Sequence, residues 1–372
     1  MSKAGSIDRR HYAVLDTFRF LAASGVVFYH FENHFQPFLA APTSYLEEFQ
    51  HFVDFFFVLS GFVLMHTYGG RVKTLADYGG FLRRRFARLY PLHLATILVL
   101  CVIGAAVAAV GFRVKDPSLF DFSLIPSNLL LIQAWGVNDH MGLNSPSWSL
   151  SAEFFVYLLF PLLAILLRKV GAVWTLLTAV MLTIVIETVR ASLGLRPGDL
   201  ATFDFGTLRA LPAFLAGMAT QAVVASIPPR PMRWRVPIAF GLLVLALMLF
   251  KAPSYLTISL FPVLVGLIAM AERGGEKTIL AAPFFVLLGN ASYAIYITHT
   301  FFEIAAVSLV RKLGWTTPLG LIVVALAIYV VIVAAGVVSY LRFETPMRKL
   351  LNGRRPGSAQ ANRTGPVAAK AS

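Results

Sequence analysis

Charge is scarce in this 372-residue chain: 13% of residues are Asp, Glu, Lys or Arg, against 58% hydrophobic. Mean hydropathy is +0.73. That balance excludes an ordinary water-soluble domain and points to an all-α, polytopic membrane protein. Cysteine is nearly absent. Cys101, the single one, stands in an Ala/Val-rich run and reads as core packing, which removes a disulfide framework and a cysteine metal site. The sequence contains no GxSxG elbow, Gly-rich phosphate loop or HExxH pair. Serine-hydrolase, P-loop and zinc-protease chemistry therefore has no footing, and no metal is expected. Acidic residues are few too, 18 against 32 Lys and Arg, which leaves a net charge of +14. Such a surplus suggests nucleic acid until its positions are read.

Apolar runs of spanning length lie at 14–35, 52–68, 89–111, 148–168, 171–190, 206–226, 236–250, 255–272, 280–309 and 317–341, about ten transmembrane helices. Basic residues cluster in alternate loops, at 3–10, 71–88, 168–169, 230–235 and 342–355, whereas 32–50 and 116–140 are acidic or mixed. The positive-inside rule then explains the charge as membrane orientation, places both termini in the cytoplasm and leaves no nucleic-acid partner. Loop 272–277 carries both signs, and Arg311 with Lys312 runs against the pattern. The start resembles a signal peptide, but Asp16 and Arg19 interrupt its apolar region, so it reads as a retained first helix. Residues 1–350 form one membrane domain, and 351–372, rich in Gly, Pro, Ser and Ala, are expected to be a disordered cytoplasmic tail.

The first span reads RFLAASGVVFYH over residues 19–30. An intramembrane Arg and His mark a functional site by default. Arg19 and His30 are three helical turns plus about 20° apart, so they share one face at depths differing by roughly 16 Å. The second span, VDFFFVLSGFVL, brings Asp54 to a depth expected to match that of His30, where a carboxylate orients an imidazole acting as general base; the plainer reading is a satisfied polar pair. Between spans two and three, FLRRRFARLYPLH presents Arg85 and Arg88 on one helix face. Guanidinium forks suit phosphate, although topology and lipid headgroups explain arginines at such a place as well.

The fourth span opens PSWSLSAEFFVYLLFP, with Glu153 near the expected depth of His30. Trp148 suits an interfacial belt there, and Ser147 or Ser149 suits a helix cap. In NASYAIYITHTFF, Ser292, Tyr296 and His299 share a face by their spacing, and His299 either lines a cavity or bonds a neighbouring helix. His11 and Asp16 match an HxxxxD pattern but precede the first span without a supporting block, so they read as a decoy.

In order, these segments resemble the bacterial membrane acyltransferase family three: Arg19 with ten residues before His30, VDFFFVLSGF at 53–62, Arg85 and Arg88 before Tyr90-Pro91, SWSLSAE at 147–153, SYAIYITH at 292–299 and FETPMR at 343–348. The resemblance implies an inner-membrane O-acyltransferase that moves an acyl group, usually acetyl, from cytoplasmic acyl-coenzyme A to an acceptor hydroxyl at the outer face. It makes His30 and Arg19 the essential pair and implicates Arg85 and Arg88 in donor binding. Phe52 stands where the family often has Gly, which bears on helix packing at the outer end. The expected mechanism is direct attack with His30 as base, Asp54 or Glu153 orienting the histidine or the acceptor, and Arg19 steadying the donor. An acyl-histidine intermediate is the other route.

Acceptor or cavity candidates are Ser147, Trp148, Tyr296 and His299, with Trp135, Asp139 and His140 in the outer loops. The expected acceptor is a surface polysaccharide or lipid-linked sugar, alongside membrane lipid and possible oligomeric or polysaccharide-biosynthesis partners. A secondary transporter or flippase is the competing class, but SWSLSAEFF, SYAIYITHTFF and the RxxR segment each occur once, without the paired halves a transporter shows.

Overall fold

The computed structural model describes residues 11–39, 41, 43–109 and 117–353. Every regular element among them is helical: α1 (Ala13–Phe35), α2 (Phe52–Tyr68), α3 (Leu75–Ala109), α4 (Ile125–Leu129), α5 (Trp148–Val170), α6 (Ala172–Ser192), α7 (Gly206–Ser226), α8 (Arg235–Leu249), α9 (Ser254–Arg273), α10 (Pro283–Leu313), α11 (Pro318–Ser339) and α12 (Thr345–Asn352), with short 3₁₀ turns and one π-helical turn, Tyr340–Glu344. Each of the ten expected spans is occupied by a helix. Eight helical segments are long and apolar enough to cross a membrane. Of the other two, α1 has 23 residues but carries Asp16, Arg19 and Glu32, and α8 has only 15. The basic segment 3–10 lies outside the described residues, as does the expected tail beyond Gly353; the first two tail residues, 351–352, instead complete α12.

The largest departure from expectation is α3, which begins at Leu75 rather than 89 and so takes the arginine cluster into the helix. A reciprocal cap starts it early. Asp77 Oδ2 accepts from the Thr74 backbone N–H at 3.0 Å, while Thr74 Oγ1 accepts from the Asp77 backbone N–H at 3.1 Å. Together they satisfy two donors that a helix start leaves open. Pro91 lies inside the helix without ending it. Cys101, expected in the core, is half-buried on this helix.

Glycines set the closest helix pairs, as expected where lipid removes the hydrophobic drive for association and close packing must hold helices together. A Cβ on Gly61 of α2 would lie 2.0 Å from the Phe214 carbonyl oxygen of α7, and one on Gly217 of α7 would lie 1.9 Å from the Val58 carbonyl oxygen of α2. A Cβ on Gly289 of α10 would lie 2.1 Å from the Asp16 carbonyl oxygen of α1. Near that crossing Thr17 Oγ1 donates to the Leu280 carbonyl at 2.6 Å. Helices α1 and α10 therefore run side by side in the same direction, and their middle and late residues meet again at His30 and His299. The start of α1, the arginines of α3 and helix α12 mark one end of the bundle, here the arginine end. His30, His34 and Glu303 mark the histidine end.

Candidate active site

The parallel pairing of α1 and α10 builds the histidine cluster. His30 and His34 are one turn apart on α1, and His299 and Glu303 are one turn apart on α10, so both pairs face each other across the crossing. The His30 and His299 rings are centred 5.0 Å apart, and those of His30 and His34 are 6.2 Å apart. His34 Nδ1 lies 3.3 Å and His299 Nε2 3.9 Å from Glu303 Oε2. His299 and Glu303 are fully buried, His30 is half-buried, and the His34 side chain is 37% exposed, so this cluster has one open edge. His299 Nδ1 is hydrogen-bonded to the Tyr296 carbonyl, which fixes its tautomer and leaves Nε2 facing the cluster.

Toward the arginine end a pocket of about 60 Å³ is lined by Arg19, Arg88, Ser60, Glu153, Tyr293 and Tyr296, among others. Glu153 accepts from Ser60 Oγ and from the Tyr157 hydroxyl. Glu153 thus belongs to the arginine pocket, and no hydrogen bond or ion pair joins it to His30 among the described residues. Tyr296 connects the two regions: its hydroxyl is 2.9 Å from Ser149 Oγ, and its ring centroid is 5.9 Å from that of His299. Ser292, expected on the same face, lines the arginine pocket too.

The two motif arginines divide. Arg88 lines the pocket, whereas the Arg85 guanidinium lies 5.4 Å from the centre of the Tyr68 ring, beside Arg84, whose Nε donates to the Tyr68 hydroxyl at 3.2 Å. Farther out, Arg83 and Arg84 join Arg348 and Lys349 around a basin of about 840 Å³. The π-helical turn before α12 sets this geometry by placing buried Glu344, an acidic neighbour of Arg88, at the hinge between α11 and α12. Arg19 reaches Asp16 at 3.4 Å, and Asp16 in turn lies 2.7 Å from His11 Nε2. That carboxylate holds the His11 pKa above its ordinary value.

Three expectations are corrected. Asp54 does not orient His30. Arg209 of α7 engages it with Nε 3.0 Å from Oδ1 and Nη2 2.7 Å from Oδ2, both side chains being buried, and His51 Nδ1 adds a contact at 3.4 Å. The glycine-tight α2–α7 crossing turns Asp54 toward α7 and away from α1. Trp148 is not an interfacial anchor; it is buried beneath the Arg209 guanidinium, 5.2 Å from its ring. Ser147 occupies the position before α5 yet makes no capping bond; its Oγ donates to Asn128 Oδ1 at 3.3 Å, and Ser149 Oγ donates to the Pro146 carbonyl.

Sequence reasoning missed Arg209, His34 and Glu303. Arg209 stands inside an apolar run, the same signal that singled out Arg19, and Glu303 follows His299 by one turn as His34 follows His30. Trp135, proposed to meet an acceptor, packs its ring against Phe155 at 5.1 Å. In the neighbouring loop His140 lies between Asp139 at 2.5 Å and Asp121 at 3.0 Å. Hydrogen bonding to Asp139 raises the His140 pKa.

Comparison with known proteins gives the family. A family model described as an acyltransferase domain, family three, matches residues 12–341. The protein named Acyltransferase MdmB from Streptomyces mycarofaciens is 32% identical over 335 residues, covering 82% of each chain. Protein 2 in the picA locus of Rhizobium radiobacter is 35% identical over 156 residues, which cover 39% of this chain and 78% of that protein. No solved structure matches. With the family model spanning all but the ends, and with a relative 32% identical over 82% of each chain, the chain belongs to the membrane acyltransferases of family three.

Proposed function

We propose that the protein takes an acyl group, acetyl being the expected one, from acyl-coenzyme A at the arginine end and delivers it to a hydroxyl of a glycan or glycolipid at the histidine end. The observation that carries this reading is continuity. Tyr296 lines the pocket of Arg19 and Arg88 and also adjoins His299, which packs against His30. A basin ringed by Arg83, Arg84, Arg348 and Lys349 suits the phosphates of the donor, because guanidinium and ammonium groups bind them by charge-assisted hydrogen bonds. The narrow pocket beyond suits the thioester arm.

His30 serves as general base. The acceptor oxygen attacks the thioester carbonyl while the His30 imidazole takes the hydroxyl proton. The tetrahedral adduct then collapses, the C–S bond breaks, and the departing thiolate recovers that proton, so no acyl-enzyme forms. Buried Glu303, beside His299 and His34, is the carboxylate of this cluster, in the positioning role first assigned to Asp54. With the basic loops facing the cytoplasm, both termini lie inside and the acceptor site opens outward across the inner membrane.

The test is thioester turnover by purified protein in lipid nanodiscs, scanning acyl chain length with envelope glycan as acceptor. His30→Ala is expected to abolish transfer while retaining donor binding, and Arg85→Ala/Arg88→Ala to weaken donor binding. No binding or turnover of any acyl-coenzyme A by the parent would overturn the reading in favour of a transporter.

A further inference from the structure

The histidine cluster contains polar atoms that no hydrogen bond satisfies. Both carboxylate oxygens of Glu303, His299 Nε2 and His34 Nδ1 are buried with no hydrogen-bond partner among the described residues. Glu303 is fully buried with neither oxygen hydrogen-bonded, its nearest partners being His34 Nδ1 at 3.3 Å and His299 Nε2 at 3.9 Å, and burial of so poorly satisfied a carboxylate favours a bound species. One ligand atom from each of His30, His299 and Glu303 fits within 4.8 Å of the others. A tetrahedral zinc-type centre, with bonds near 2.0–2.1 Å, holds its ligand atoms roughly 3.3 Å apart, a difference that side-chain rotation can close.

We propose that His30, His299 and Glu303 form a binding site for a zinc-class divalent cation, entered past His34 from the histidine end. The donor set selects the metal: two imidazoles and a carboxylate suit zinc and its transition-metal neighbours, whereas magnesium and calcium demand oxygen ligands. The surroundings follow the pattern of metal-bound histidine. His299 directs Nδ1 to the Tyr296 carbonyl and so presents Nε2, and His34 stands 3.3 Å from the Glu303 carboxylate as its outer partner. Three protein ligands leave a coordination position open. The ligands come from helices at opposite ends of the chain, which is why no local metal motif marks them.

Occupancy has a consequence that rests on the reading of His30 as base. A cation bound through the His30 lone pair removes the atom that accepts the acceptor proton, so zinc at the outer face switches transfer off and a chelator restores it.

The experiment is zinc titration by calorimetry of the full chain in nanodiscs after chelator treatment, with magnesium as the comparison ion. The expected result is one zinc per chain with no magnesium signal, and affinity at least tenfold weaker in Glu303→Gln and in His299→Ala. His140→Gln removes a second histidine–carboxylate group, beside Asp121 and Asp139, and leaves binding intact. Zinc-edge absorption of the parent, which needs no variant to fold, is expected to show only N and O ligands, with imidazole scattering. Absence of a stoichiometric site in the parent overturns the proposal, as does zinc binding that disappears in His140→Gln but persists in Glu303→Gln. Those outcomes would assign the cluster to a shared proton between histidine and Glu303. Turnover measured in the chelated protein tests the acyltransferase reading separately.

Discussion

Removing one partner of the Asp54–Arg209 pair is expected to strain the whole bundle, because little water reaches either group: the side chains are 2% and 4% exposed. Two unit charges about 4 Å apart interact by roughly 4 kcal/mol at an effective dielectric near 20. Breaking a buried pair while leaving the other charge in place typically costs about 3–5 kcal/mol. The two single variants should differ. Asp54→Asn leaves Arg209 with the Gln50 carbonyl at 3.4 Å and the Trp148 ring, and with Asp199 as a carboxylate beyond hydrogen-bond reach, and is expected near the upper figure. Arg209→Met leaves Asp54 with the His51 Nδ1 contact at 3.4 Å, and is expected near the lower one. Reversible unfolding in mixed micelles of the parent, both singles and the double variant measures the coupling. The double variant should lose clearly less than the sum of the singles. Additivity within about 0.5 kcal/mol would refute the pair as the unit of stability. A stable Asp54→Asn protein whose transfer rate shows a shifted pH profile would instead return Asp54 to the service of His30.

The α2–α7 crossing should be intolerant of any added carbon: Gly217→Ala is expected to cost about 1–3 kcal/mol in the same unfolding assay, while Gly70→Ala, with nothing within 4 Å, changes nothing measurable. Arg88→Ala should weaken acyl-coenzyme A binding by about tenfold or more, consistent with loss of one charge-assisted hydrogen bond, and Arg85→Ala by less; equal losses in a binding titration would contradict the division seen between pocket and Tyr68. The raised pKa of His140 means that its contact with Asp139 adds stability below the ordinary histidine pKa of about 6.5 and loses it as pH rises through the raised value. Melting curves of the parent and His140→Gln should therefore differ in acid and converge in alkali, and a gap that widens with pH would refute the assignment.

Much of the architecture was readable because membrane spans obey a one-dimensional rule: each apolar run of sufficient length became a helix, near its expected limits except at the start of α3. Pairing is a different problem. Depth along the membrane normal placed Asp54, Glu153 and His30 at comparable levels, but depth is silent on which side of a helix faces which neighbour. Asp54 met Arg209, Glu153 met Ser60 and Tyr157, and the acidic neighbour of the histidines turned out to be Glu303. Arg209 and Glu303 carried the same signal as Arg19, an ionisable side chain in an apolar run. The early start of α3 was also legible, since Thr74 and Asp77 form a capping pair. The burial of Trp148 was not, because its cover is an arginine about 60 residues later in sequence.

Helices α1 and α10 complete each other, yet Ala13 and Pro283 are separated by about 270 residues. At synthesis rates of about 5–20 residues per second, the later helix follows the earlier by roughly 14–54 s. Throughout that interval a span bearing Asp16, Arg19, His30 and Glu32 must persist in or beside the bilayer without its eventual neighbour. Its early contacts with α2 therefore act as a temporary shelter. A ribosome stalled before residue 283 would leave an inserted protein that lacks His299 and Glu303, so the histidine cluster is completed only when the chain is nearly finished.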